Sequence, residues 1–223
     1  METTSSRFGL YAIADADACE SRGLNLERTA RALLDAEPPY LQLRAKGRPA
    51  EWLCRLCEQL ARYKTARTRL IVNDRLDVAL AAGADGVHVG QADMAPPDVR
   101  RIAPGALVGL STHEPGQFVE ACGSPIDYLA LGPIFATTSK QLAEPALGIP
   151  QALEIVSRHP RTVPLVLIGG IDERHFSSLA PCCELIAMIG ALLEGGSSDQ
   201  QLTRRCAHLH ASIVSQQTQL SRS

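Results

Sequence analysis

Eight short runs rich in apolar and β-branched residues, separated by longer stretches with apolar positions three and four residues apart, set the strongest limit on how this chain can fold. The runs are FGLYAIA (8–14), YLQLRA (40–45), RLIVND (69–74), GVHVGQ (86–91), ALVGLST (106–112), YLALGPIF (128–135), PLVLIGG (164–170) and LIAMIG (185–190). Each has strand length. Between them lie NLERTARALLDAE, AEWLCRLCEQLARYK, DRLDVALAAG, PPDVRRIA, EPGQFVEAC, IPQALEIVSRH and DERHFSSLA, several opening on Asn, Asp, Pro or Glu as helix N-termini do. DQQLTRRCAHLHASIVSQ supplies a terminal helix.

Strand starts recur about every 20–35 residues, one βα unit each. Strands too apolar to be half solvated imply a parallel sheet covered on both faces, and eight units imply an α/β fold of the (β/α)8 TIM-barrel type. An open doubly wound sheet is the alternative, weakened because no run is followed by G-x-G-x-x-G or a P-loop. The expected organisation is one barrel domain over 1–223, with short flexible tails at about 1–7 and about 216–223.

Charge narrows the partners. With 22 basic and 24 acidic residues the formal net charge is -2, so neither a nucleic acid nor an anionic membrane is expected, and any anion must be held locally. The start METTSSRFGLYAIADADAC has no charged segment followed by a sustained apolar one, and no stretch approaches a membrane span; the expected location is cytoplasmic. The seven cysteines lie scattered in apolar runs, as in LCRLC, which reads as packed thiols, because no second pair completes a metal site.

Barrel enzymes place their chemistry where strands end and βα loops begin. In QLRAKG, Gln42, Arg44 and Lys46 alternate and so share a face: an amide and two cations aimed at the barrel mouth, a candidate anion site. Asn73 and Asp74 end the third run, where either could cap the next helix, and Asp93 follows the fourth. Two carboxylates on neighbouring strand ends suit Mg²⁺, which completes its octahedron with water and phosphate oxygens. Ser111 and Thr112 offer hydroxyls, and His113 is either a proton carrier or a loop residue. His88, inside a run, reads as a hydrogen-bonded core residue if it faces inward. Glycines ending the seventh and eighth runs allow close approach to backbone N–H groups, a common phosphate device in barrels.

Taken in order, QLRAK, VNDR.DVAL..GADGVHVGQ.DM, VGLSTH, DYLALGPIFATTSK and IGGI resemble the thiamine phosphate synthase family over about residues 10–190. The resemblance implies a barrel transferase that joins hydroxymethylpyrimidine diphosphate to a thiazole phosphate, releasing pyrophosphate. It implies that Gln42, Arg44, Lys46, Asn73, Ser111 and Lys140 hold the pyrimidine diphosphate, with Arg44, Lys46 and Lys140 acting in catalysis. It further implies that Asp74 and Asp93 ligate Mg²⁺, and that Thr137, Thr138, Ser139 and the backbones of Gly170, Ile189 and Gly190 hold the thiazole phosphate. Three positions depart from the family pattern: Ile189-Gly190 where Val-Ser is usual, Pro181-Cys182-Cys183 where Ala-Gly-Ala is usual, and Ala14 where Thr is usual. Two alternatives are a thiazole tautomerase-like paralogue, with His113 as proton carrier, and a non-catalytic binder of thiamine precursors. Small-molecule substrates are the expected partners, and self-association is left open.

Overall fold

A computed structural model describes residues 8–136, 145–194 and 196–220. Eight parallel strands close into a barrel in sequence order, β1 pairing with both β2 and β8. They are β1 (Gly9–Asp15), β2 (Tyr40–Arg44), β3 (Arg69–Asn73), β4 (Gly86–Val89), β5 (Leu107–Thr112), β6 (Tyr128–Leu131), β7 (Leu165–Ile168) and β8 (Leu185–Met188). Around them run α1 (Ala16–Glu20), α2 (Leu26–Leu34), α3 (Ala50–Tyr63), α4 (Leu76–Ala82), α5 (Pro96–Ile102), α6 (Pro115–Cys122), α7 (Gly148–Arg158), α8 (Phe176–Leu179) and α9 (Asp199–Leu220). The (β/α)8 expectation is met.

The two-residue period of each strand divides the core in two. Outward residues such as Leu10, Leu41, Leu70, Val108 and Leu129 are buried under helix residues such as Leu33, Leu60 and Phe118. Burial of each such side chain contributes about 1.5–3 kcal/mol. Inward residues form a separate cluster in which Tyr11, Tyr40 and Tyr128 meet with ring centroids 5.3–5.7 Å apart. Gly109 makes this possible: a Cβ there would stand 2.0 Å from the Tyr128 ring.

At the N-terminal end of the barrel one arrangement repeats before alternate strands. Asp85, Asp127 and Glu184, which immediately precede β4, β6 and β8, accept from the backbone N–H of Leu70, Val108 and Leu165 at 2.7 Å each. Each acid also pairs with a cation: Lys64 at 3.1 Å, Arg100 at 2.7 Å and Arg161 at 2.8 Å. A carboxylate between strand starts thus ties each strand to its predecessor and to a basic side chain.

Three boundaries differ from the sequence pattern. The sixth run, expected as a strand over 128–135, ends as a strand at Leu131; beyond it Ile134 and Phe135 donate their N–H groups to Ile168 and Gly169. A short helix, α1, starts directly after β1 because Asp15 accepts from Ala18 N at 2.8 Å and so caps it. The terminal helix runs to Leu220, past the expected start of a tail near 216; the Gln217 amide donates to Cys183 O and Glu184 O and ties it to the barrel. All seven cysteines are free thiols, and burial raises the pKa of Cys57, Cys183 and Cys206. Among the described residues no helix is long and apolar enough to cross a membrane.

Candidate active site

The C-terminal ends of the strands surround a cavity of about 720 Å³. Its lining draws on nearly every strand: Tyr11, Ile13 and Asp15 from β1, Gln42 and Arg44 from β2, Asn73, His88 and Ser111 from β3 to β5, and Gly170, Ile189 and Gly190 after β7 and β8.

The alternation of β2 does what its sequence implies. Gln42 is buried and its Nε2 donates to Tyr11 Oη at 2.9 Å, while Arg44 one step nearer the mouth is 12% exposed and pairs with the Asp15 carboxylate, itself 2% exposed. Asp15 therefore does two things at once, capping α1 with one oxygen and holding the guanidinium with the other. A charge-assisted pair in a partly desolvated place fixes orientation more firmly than a solvated one. Lys46, half exposed, reaches Asp74 Oδ2 at 3.0 Å.

Neither Asn73 nor Asp74 caps α4, whose N-cap is Arg75 without a side-chain bond, so the capping alternative falls away. Asn73 lines the cavity. Asp74 has φ +62°, a left-handed conformation uncommon outside glycine, and its N–H donates to His88 O at 2.8 Å. Its side chain meets that of Asp93, which also accepts from Gly90 N at 2.8 Å. Desolvation, with Asp93 adding to it, raises the Asp74 pKa above the usual carboxylate value, although Lys46 opposes the shift. Like charges held together with a cation beside them form a set that a divalent ion fits, since Mg²⁺ takes one or two protein carboxylates. Among the described residues no group of three or more His, Cys, Asp or Glu gathers as a metal site. Lys46, Asp74 and Asp93 stand on the rim beside the cavity lining, not within it.

His88 faces inward, as its core reading requires, with Nε2 2.8 Å from Ser111 Oγ and Nδ1 3.1 Å from Tyr128 Oη. Thr112, one residue past Ser111, points outward: it is fully buried and donates to Ala130 O at 2.9 Å. His113 Nδ1 lies 2.6 Å from Gly132 O.

The opposite side of the mouth is built from backbone. Gly169 and Gly170 have φ +103° and +63°, and a Cβ on Gly170 would lie 2.8 Å from Ala136 O. Only glycine fits there without strain. Gly190 is different, because a Cβ there would meet nothing nearer than Arg22 Nη2 at 3.7 Å. Space does not explain why this position lacks a side chain. Of the other departures, Ala14 belongs to the outward, helix-facing core, away from the cavity, and 180–182 form a 3₁₀ turn. Thr137, Thr138, Ser139 and Lys140 lie outside the described residues.

Tyr11, Asp15, Arg22 and Tyr128 line or support the cavity but were not singled out from the sequence. For Asp15 a signal existed: it continues the inward alternation Tyr11, Ile13, Asp15 to the strand end.

A closed parallel barrel with cations, carboxylates and glycine backbone gathered at its C-terminal rim defines the class, a (β/α)8-barrel enzyme. The family described as thiamine monophosphate synthase matches residues 10–192, and the chain belongs to that family. The chain is 38% identical to a thiamine-phosphate synthase of Koribacter versatilis over 82% of this chain and 88% of that protein. It is 40% identical to one of Laribacter hongkongensis over 83% and 87% respectively. A solved thiamine phosphate pyrophosphorylase of Pyrococcus furiosus superposes with a TM-score of 0.81 at 25% identity, covering 96% of this chain and 99% of that one.

Proposed function

We propose that the chain condenses a hydroxymethylpyrimidine diphosphate with a thiazole phosphate to give thiamine phosphate and pyrophosphate. The observation that carries this reading is the meeting of Asp74 and Asp93 beside Lys46, next to a cavity edged by the braced Arg44. Such a combination serves a departing diphosphate, which needs its charge neutralised more than it needs a base.

The bond from the pyrimidine methylene carbon to the diphosphate oxygen breaks, and its electron pair leaves with pyrophosphate. The thiazole nitrogen then supplies the pair for the new C–N bond. No proton has to be removed to make the nitrogen a nucleophile, so the protein's work is orientation and charge stabilisation. Arg44, Lys46 and Lys140 act on the leaving diphosphate; Gln42, Asn73 and Ser111 position the pyrimidine half. Asp74 and Asp93 would hold Mg²⁺, which when bound supplies further positive charge to the leaving group. Thr137, Thr138, Ser139 and the backbone at Gly170, Ile189 and Gly190 take the thiazole phosphate, where backbone donors suit an anion.

The test is an assay of purified protein with both substrates across a Mg²⁺ titration. Thiamine phosphate and pyrophosphate in equal amounts are expected; thiazole isomerisation alone would support the tautomerase reading, and tight binding without turnover the binding-protein reading. In the same assay Asp93→Asn should move the Mg²⁺ requirement upward, and an unaltered titration would leave Asp93 with its turn contact to Gly90 only.

A further inference from the structure

A chain of buried hydrogen bonds crosses the inside of the barrel and joins two residues of the mouth that lie on different strands. It runs from Gln42 on β2 to Tyr11 on β1 at 2.9 Å, on to Tyr128 on β6 at 2.8 Å, to His88 on β4 at 3.1 Å, and ends at Ser111 on β5 at 2.8 Å. Both phenols are fully buried, and burial lifts each well above the ordinary tyrosine pKa, so both keep their protons.

Each phenol has one proton to give, which sets a direction along the chain. The Gln42 amide nitrogen donates to Tyr11 Oη, and among these bonds the Tyr11 proton finds an acceptor only if it goes to Tyr128 Oη. Tyr128 must then donate to His88 Nδ1, and a neutral imidazole accepting at Nδ1 carries its proton on Nε2. That proton points at Ser111 Oγ. With its oxygen accepting from His88, the Ser111 O–H is left to donate to a group in the cavity, which Ser111 lines.

We propose that His88 is a positioning residue: through the buried chain from Gln42, it fixes Ser111 as a hydrogen-bond donor to an acceptor atom of the pyrimidine diphosphate. The direction of the chain follows from the rule that each buried proton finds an acceptor, whereas the ligand rests on the proposed function. Nothing in the condensation needs His88 as a proton carrier, which fits a cavity-lining residue whose two ring nitrogens lie within hydrogen-bond distance of Tyr128 and Ser111. The chain also couples strand ends that are not adjacent, so an error at Tyr128 would be felt at Ser111 without any movement of β5.

Two measurements separate the parts. Nitrogen-15 NMR of histidine-labelled protein without substrates, with the His88 signals assigned by their loss in His88→Gln, reads the tautomer directly. A neutral ring protonated at Nε2 is expected; protonation at Nδ1, or an imidazolium at neutral pH, overturns the proposed direction. The second is a double-mutant cycle on binding of the pyrimidine diphosphate, read by calorimetry so that it does not depend on turnover. Tyr128→Phe keeps the ring and removes only the hydroxyl, and it should weaken binding about tenfold in the otherwise unaltered protein, the scale of lost outer-shell support. In a Ser111→Ala background it should cost nothing further. An equal loss in both backgrounds would mean a general packing effect and would overturn the positioning role, as would no loss in either. Failure of the two-substrate assay with this cycle intact would sink the condensation and leave the positioning claim standing.

Discussion

The two ends of the barrel use the same chemistry to opposite purposes. At the N-terminal end Asp85, Asp127 and Glu184 each hold a cation, and the same carboxylate oxygen also takes a strand-start N–H, so the charge is committed to the fold. At the C-terminal end Asp15 holds Arg44 and Asp74 holds Lys46, yet there the cations stand in or beside a cavity and one aspartate keeps a strained left-handed backbone. A carboxylate flanking a strand thus stabilises the barrel when its partner is a backbone donor of the neighbouring strand, and prepares a site when its partner is a cation facing open space. The pairing itself does not tell the two apart; the second partner does.

The difference can be broken first at Arg44. Arg44→Ala should lower kcat/KM for the pyrimidine diphosphate by about 10²–10³, the scale for loss of one preorganised charge-stabilising donor. It should also destabilise the fold, because the Asp15 carboxylate would stay buried without its cation, and steady-state kinetics with urea unfolding would show both. Full activity would make the Asp15–Arg44 pair structural and erase the contrast. The mirror experiment is Asp127→Ala. It leaves the Val108 N–H without its acceptor and should cost about 1–3 kcal/mol of stability, with kcat/KM unchanged. A loss of activity in protein that remains folded would mean that the two ends are not separable.

A smaller effect is expected from Asp15→Asn, which retains an oxygen to cap α1 and removes only the charge opposite Arg44. About a tenfold fall in kcat/KM with little change in unfolding midpoint is expected, since a neutral amide orients the guanidinium less firmly. The smallest concerns the N-terminal end. His210, half buried, accepts from Leu10 N at 3.3 Å through Nδ1, and burial lowers its pKa below 6.5. The unfolded chain therefore binds the proton more readily than the folded one. The stability that His210 provides is complete above pH 6.5 and is lost as pH falls from there to the depressed folded value. Urea midpoints measured from pH 7.5 down to 5 should show this slope, flattened in His210→Gln, while kcat/KM at pH 7.5 stays as it was.

How much of this was readable in advance depended on whether a feature is local. The strand runs and their alternation are local, so the barrel and the shared face of Gln42 and Arg44 followed from the order of residues, whereas Lys46, past the end of β2, stands on the rim, and that order left the inward direction of His88 open. The role of Tyr128 was illegible because its meaning lies in a partner 117 residues away, and for Asp15 the alternation gave the face but not the Arg44 partner 29 residues away. Asp85, Asp127 and Glu184 carried a local signal after all: an acid directly before an apolar run, recurring at alternate strands. It went unread because an acid before a strand is also an ordinary turn residue.

The sequence by itself determined the architecture and the chemical inventory of the rim. Strand runs too apolar to be half solvated have to be buried on both faces, and βα units of this spacing bring every strand end to one side. Only the tertiary structure decided which rim groups act together. Barrel closure sets β1 between β2 and β8 and stacks the inward side chains of distant strands in one narrow interior. There Gln42, Tyr11, Tyr128, His88 and Ser111 find their hydrogen-bond partners across the barrel, because buried polar groups pair and the nearest available partners stand on other strands.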